Sequence, residues 1–188
     1  MLKTMTLISL VSFATITYAD QTAQAPARPP EVKKTVDAFA GRWNFAGTDL
    51  EPGTKQAAKL TMTINCKPAA LGAAVACTIA GRSAGERIEA AAVIGYSPDE
   101  KVVRWMEISS TAEYHDHRGV WKGNTIEFEP LPYTVMGKRF VEKLNVSFPS
   151  PGTLVLKSVT ETPEGSSTLE GTARRPQSSQ PQVPGDRS

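Results

Sequence analysis

From Leu60 onward apolar residues recur at every second position, and turn-forming residues interrupt the pattern at short intervals. Leu60, Met62, Ile64 and Cys66 alternate with their neighbours, as do Val75, Cys77 and Ile79, then Ile88, Ala90, Ala92 and Ile94, and later Phe140, Leu144, Val146 and Phe148. A period of two places each set on one face of a half-buried strand. Turn signals lie at Glu51-Pro52-Gly53, Ser97-Pro98-Asp99, Gly123-Asn124, Pro151-Gly152 and Pro163-Glu164-Gly165. Short strands joined by tight hairpins predict an all-β protein with antiparallel, up-and-down topology. A meander this long closes on itself to hide its edges, which predicts a barrel of about eight to ten strands.

One segment breaks the alternation. Val32, Val36 and Phe39 share one helical face, so Glu31–Ala40 is predicted as a short helix leading into the strands. Glu31 suits the positive end of its dipole, and Gly41 can take the left-handed stop conformation.

The flanks carry no such periods. Residues 1–19 have Lys3, then an apolar core from Thr6 to Ile16, then Thr17-Tyr18-Ala19 with small residues where a signal peptidase needs them. They read as a signal peptide cleaved after Ala19, and the apolar core is too short for a membrane span. Asp20–Pro30 reads as a disordered linker and 176–188 as a disordered tail, since neither offers apolar surface to offset chain entropy. The folded domain is expected over 31–175. The protein is therefore expected to be exported, to the periplasm or the medium.

Charge narrows the partners. The chain has 21 basic and 19 acidic residues, and Lys3 is the one charged residue of the leader. Such a balance excludes the concentrated positive surface that nucleic acid requires. Cys66 and Cys77 are the only cysteines. Pairing Leu60–Lys67 with Ala73–Arg82 across the intervening turn sets Cys66 opposite Cys77 and Ile64 opposite Ile79. In an oxidising compartment that geometry predicts a disulfide worth about 3 kcal/mol.

Helix, then Gly41-Arg42-Trp43 opening the first strand, resembles the G-x-W signature of lipocalins and their calycin relatives. Gly95-Tyr96, Trp121-Lys122-Gly123 and a terminal Arg also resemble the pattern of an uncharacterised family of secreted bacterial proteins with lipocalin-like barrels. The resemblance implies that the helix closes one barrel end. It also implies that Trp43 lies over that end beneath an Arg of the last strand, Arg174 or Arg175, with Gly41, Trp43 and Arg174 as structural residues. The second lipocalin signature, T-D-x-x-Y, is missing.

The densest polar cluster is Glu113-Tyr114-His115-Asp116-His117-Arg118, which holds the only two histidines. On a strand His115 and His117 project from one face, a spacing also used for metals. Around Ser97–Glu100, pairing Tyr96 with Lys101 predicts Ala92 opposite Trp105 and Ala90 opposite Glu107. Around Gly123-Asn124, Trp121 is expected opposite Ile126 and Gly119 opposite Phe128, which turns both histidines inward. Glu142, between Phe140 and Leu144, shares an apolar face, and proximity to His115 or His117 would satisfy it.

Three readings of the cluster stay open: a polar patch lining a ligand cavity, a solvent-facing strand displaced by one residue, and a metal or acid–base site lacking a fixed third ligand. The expected function is binding of a small apolar or amphipathic molecule inside the barrel, lined by Trp105, His115, His117, Trp121, Phe128 and Glu142. The alternatives are an enzyme using His115 and His117, and an interaction protein with a filled core. No catalytic motif stands out, and no catalytic residue, resident metal or cofactor is expected.

Overall fold

The computed structural model describes residues 27–135 and 137–176. The leader, most of the linker and the tail beyond Pro176 lie outside the described residues.

One helix and eleven strands follow one another along the chain: α1 (Pro30–Phe39), β1 (Gly41–Leu50), β2 (Ala58–Ala69), β3 (Ala74–Ser83), β4 (Glu86–Ser97), β5 (Val102–Ser109), β6 (Tyr114–Lys122), β7 (Thr125–Phe128), β8 (Leu131–Val135), β9 (Lys138–Ser150), β10 (Thr153–Thr162) and β11 (Gly165–Arg174). Every pairing is antiparallel. Ten strands close a ring: β1 to β7, then β9, β10 and β11, which returns to β1. The eleventh strand, β8, pairs with β9 alone and stands outside the ring. The ten-stranded ring is the calycin-like barrel expected, and β8 is an additional strand outside it.

The helix caps one end. Val32, Thr35, Val36 and Phe39 are buried, so the predicted face is the packed one. Beneath it Trp43 is 2% exposed, and its Nε1 donates to the Phe39 carbonyl at 2.8 Å. The guanidinium on the Trp43 ring belongs to Arg175, 4.5 Å from the ring centroid, and not to Arg174. Alternation explains the correction: Ala173 points inward and is buried, so Arg174 points outward. Arg175, just past the strand, turns back, and its Nη2 donates to the Asp37 carbonyl at 2.9 Å. It thus satisfies a carbonyl at the end of the helix as well as stacking on the indole.

The β2–β3 register is as expected: Cys66 faces Cys77, Ile64 faces Ile79, and the two sulfurs are bonded. The β4–β5 register differs. Ala92 faces Glu107, Ile94 faces Trp105 and Ala90 faces Ser109. The four residues outside the ladder are Pro98–Lys101, one place further along than the expected Ser97–Glu100, with Lys101 in the left-handed region at φ 58°. The pairing therefore shifts by two places, and an even shift leaves each side chain on its expected face.

Candidate functional site

The half of the barrel away from the helix is hollow. A cavity of about 310 Å3 is walled by apolar side chains such as Leu60, Ile64, Ile88, Leu144 and Leu156. Nearer the helix the interior closes: around Phe39, Trp43, Ile94 and Leu154 only about 20 Å3 stays open. A small residue helps make the hollow, since Ala90 stands where β4 could have filled it.

One wall is polar. On β6, strand alternation sends His115, His117, Gly119 and Trp121 inward. Gly119 is required there, because a Cβ would lie 2.7 Å from Phe128 Cδ1. On β9 the same alternation sends Glu142 inward beside Leu144. The β7 strand separates β6 from β9 for only four residues. Past Glu129, whose amide donates to the Arg118 carbonyl at 2.8 Å, the chain leaves β6 and continues as β8 along β9. No ladder joins β6 residues 114–117 to β8. Where the ladder ends, the histidines of β6 face Glu142 of β9.

Glu142 Oε2 lies 3.5 Å from His115 Nδ1 and 3.6 Å from His117 Nε2. Its other oxygen, Oε1, accepts a hydrogen bond from Ser158 Oγ of β10. The far nitrogen of His115, Nε2, lies 3.8 Å from Glu113 Oε2. The imidazole rings are nearly parallel, with centroids 5.6 Å apart, and Tyr133 of β8 packs 4.4 Å from the His115 ring. Glu107, also inward, accepts a hydrogen bond from Trp105 Nε1 at 3.0 Å.

Protonation follows from these neighbours. Burial pushes Glu142 up, but the facing His115, His117 and the Ser158 hydroxyl outweigh it and hold the carboxyl below its ordinary range. Burial pulls His115 down, but Glu142, Glu107 and Glu113 raise it above the usual imidazole value. His117 goes the other way: burial lowers it, and Glu142 does not restore it. Glu107 is raised, chiefly by burial. Tyr133 is pushed up to about 12, by burial first and then by the charges of Glu142 and Glu113. Relative to the free groups, the wall therefore favours the ionised form of Glu142, the protonated form of His115 and the neutral form of His117.

Of the six expected lining residues, Trp105, His115, His117 and Glu142 border the cavity. Phe128 is buried against Trp105 and His117, with ring centroids at 6.1 and 5.8 Å, and serves as core behind the wall. Trp121 lies at the capped end. Its Nε1 donates to Thr35 Oγ1 of the helix at 3.1 Å, and Lys34 Nζ sits 3.9 Å over its ring. It borders a separate cleft between helix and rim. Sequence reasoning passed over Glu107, Glu113 and Ser158 as lining residues. The signal for Glu107 was its place two residues from Trp105. Ser158 follows Leu156 at the same spacing.

No family model and no curated protein matches the chain. Solved structures do. The S-type phycobiliprotein lyase CPES from Guillardia theta is similar with a TM-score of 0.56 and 13% identity, over 76% of this chain and 91% of the lyase. A redesigned β-barrel, mFAP1, bound to DFHBI, aligns with a TM-score of 0.45 and 12% identity, over 75% of this chain and 98% of that one. A second redesigned barrel aligns at 0.44 and 13%, over 76% and 96%. At such identity the likeness to the lyase is one of fold, a closed calycin-like barrel.

Proposed function

We propose that this protein binds a small amphipathic molecule inside its barrel. The observation that carries the reading is the 310 Å3 cavity with apolar walls and one polar side. Ligand cavities run from roughly 300 to 1,000 Å3, so the guest is small. Its polar end is neutral or cationic. The lining includes Asp49, Glu89, Glu107, Glu113 and Glu142 but no Lys or Arg. A guest carboxylate would meet like charge, and the two imidazoles that could offset it already face Glu142. The hollow interior favours this reading over a filled core. The barrel shared with a phycobiliprotein lyase is compatible with it, as a matter of fold.

We also propose that the domain spans 31–175 and acts after export. The disulfide between Cys66 and Cys77 suits an oxidising compartment, and among the described residues no helix is long and apolar enough to cross a membrane.

Native mass spectrometry of protein purified from its own host tests the binding. A retained small molecule is expected. Adding that molecule to emptied protein should shift the fluorescence of Trp105. Ala90→Phe, which projects into the cavity, should weaken binding at least tenfold without loss of the fold. A clean mass from the host, with no response to a panel of neutral and cationic amphiphiles, would sink the proposal.

A further inference from the structure

We propose that His115, His117 and Glu142 form a binding site for one divalent transition-metal cation, such as zinc, with an open coordination position facing the cavity. The three residues offer ligand atoms that all lie within 4.8 Å of one another. Zinc binds imidazole nitrogen and carboxylate oxygen at about 2.0–2.2 Å, so adjacent ligands of a tetrahedral ion stand roughly 3.3–3.6 Å apart. The two nitrogen–oxygen distances here are 3.5 and 3.6 Å. Both exceed the length of a charge-assisted hydrogen bond, about 2.7–2.9 Å. A hydrogen-bonded pair would have one imidazole closed onto the carboxylate. Instead a single oxygen stands equally far from two nitrogens.

The surroundings fit the same reading. Ser158 holds Oε1 of Glu142 and so presents Oε2 to both imidazoles. Glu113 stands behind His115 on the nitrogen that faces away from Glu142. At 3.8 Å it makes no hydrogen bond, but its charge raises the basicity of the ring. The cavity lining carries five carboxylates and no Lys or Arg, which favours a cation. An imidazole–carboxylate set suits zinc and its first-row neighbours better than magnesium or calcium, which prefer all-oxygen shells. No thiol competes, because both cysteines are in the disulfide. Three protein ligands leave a tetrahedral ion one position for water or a guest.

This site does not depend on the amphipathic guest, and metal binding to emptied, guest-free protein is measured separately from guest binding. The test uses the full chain with any histidine tag removed, stripped by chelator and titrated with zinc. One ion per chain is expected. The chain has only two histidines, so its nitrogen NMR spectrum reports both imidazoles directly. Zinc should shift both sets of signals in the wild-type protein, with no variant required. His117→Ala and Glu142→Gln should each weaken binding about 100-fold, and Ser158→Ala, which leaves every ligand in place, about 10-fold. Zinc should raise the melting temperature of the wild type and not that of His117→Ala. The proposal is overturned if zinc does not saturate a single site below millimolar concentration, or if both imidazoles keep their signals at saturation. Folded His117→Ala and Glu142→Gln proteins that bind like the wild type would overturn it too.

Discussion

Single side chains decide whether this barrel closes around its hollow. Gly119 sits under the Phe128 ring, and an added methyl would lie 2.8 Å from Ile126 Cγ2 as well. Gly119→Ala should therefore overpack the wall behind the histidines and cost about 1–3 kcal/mol in chemical denaturation. Asp49, at the edge of the cavity, makes a different prediction. Burial raises its pKa, while the Ser83 hydroxyl pulls the other way. Its neighbour Glu51 is also raised, by burial and then by the Asp49 charge. A carboxyl with a raised folded pKa holds its proton more tightly when folded. Its contribution favours folding below the unfolded pKa and is lost as pH rises through the folded one. Asp49→Asn should thus be more stable than the wild type at neutral pH. The difference should shrink as pH falls below the ordinary carboxylate range, read from paired melting curves. The candidate site was partly legible at this scale. Alternation put His115 and His117 on one face and Glu142 on an apolar one, and the Gly123-Asn124 hairpin pointed the histidines inward, with a one-residue slip left open as the alternative. Glu113 shares their face by the same alternation, but Ser158 could not be placed near them, because its role depends on a contact between β9 and β10. Arg174 and Arg175 were not separable, because the chain bends where β11 ends.

Strands and hairpins were more legible than their irregularities. The β2–β3 hairpin followed from two constraints, apolar alternation and paired cysteines, that agree on one register. Reducing the Cys66–Cys77 bond, with both sulfurs left in place, should lower stability by about 3 kcal/mol, measured by denaturant unfolding with and without reductant. The β4–β5 register was displaced by two, because the four-residue turn lies at Pro98–Lys101, one place further along than Ser97–Glu100, and composition does not distinguish the two positions. The division of β7 from β8 was invisible. Nothing in Glu129-Pro130 reveals that the chain will leave β6 and keep to β9. Yet that departure exposes the backbone of one half of β6. The Arg118 carbonyl faces β7, so alternation points the Asp116 and Val120 amides the same way. Val120 meets Glu127 in the ladder, whereas Asp116 has no ladder partner on that side. In hydrogen-exchange NMR the Asp116 amide should exchange faster than that of Val120, although both lie on one strand. Equal protection would mean that this part of the wall is closed.

For the molecule as a whole, the two ends do different work. The helix end is solid: Phe39 packs edge-on against Trp105 with ring centroids 5.7 Å apart, and Trp43 is buried and bonded to the Phe39 carbonyl. The far end is hollow and acid-lined. A solid end fixes the shape, so the hollow end need not fill its core. The seam between β11 and β1 has a further consequence. Asn44 lies opposite Arg174, so the last strand is an ordinary neighbour of the first. The ring has no structural beginning, and where synthesis starts is one choice among several. The helix of ten residues spans about 15 Å, and a flexible bridge of about eight residues reaches from Pro176 back to its start. A circular permutant so joined, and cut open at the exposed turn Pro98–Lys101, should fold to the same barrel with the same disulfide. Its gene would begin at the fifth strand and end at the fourth.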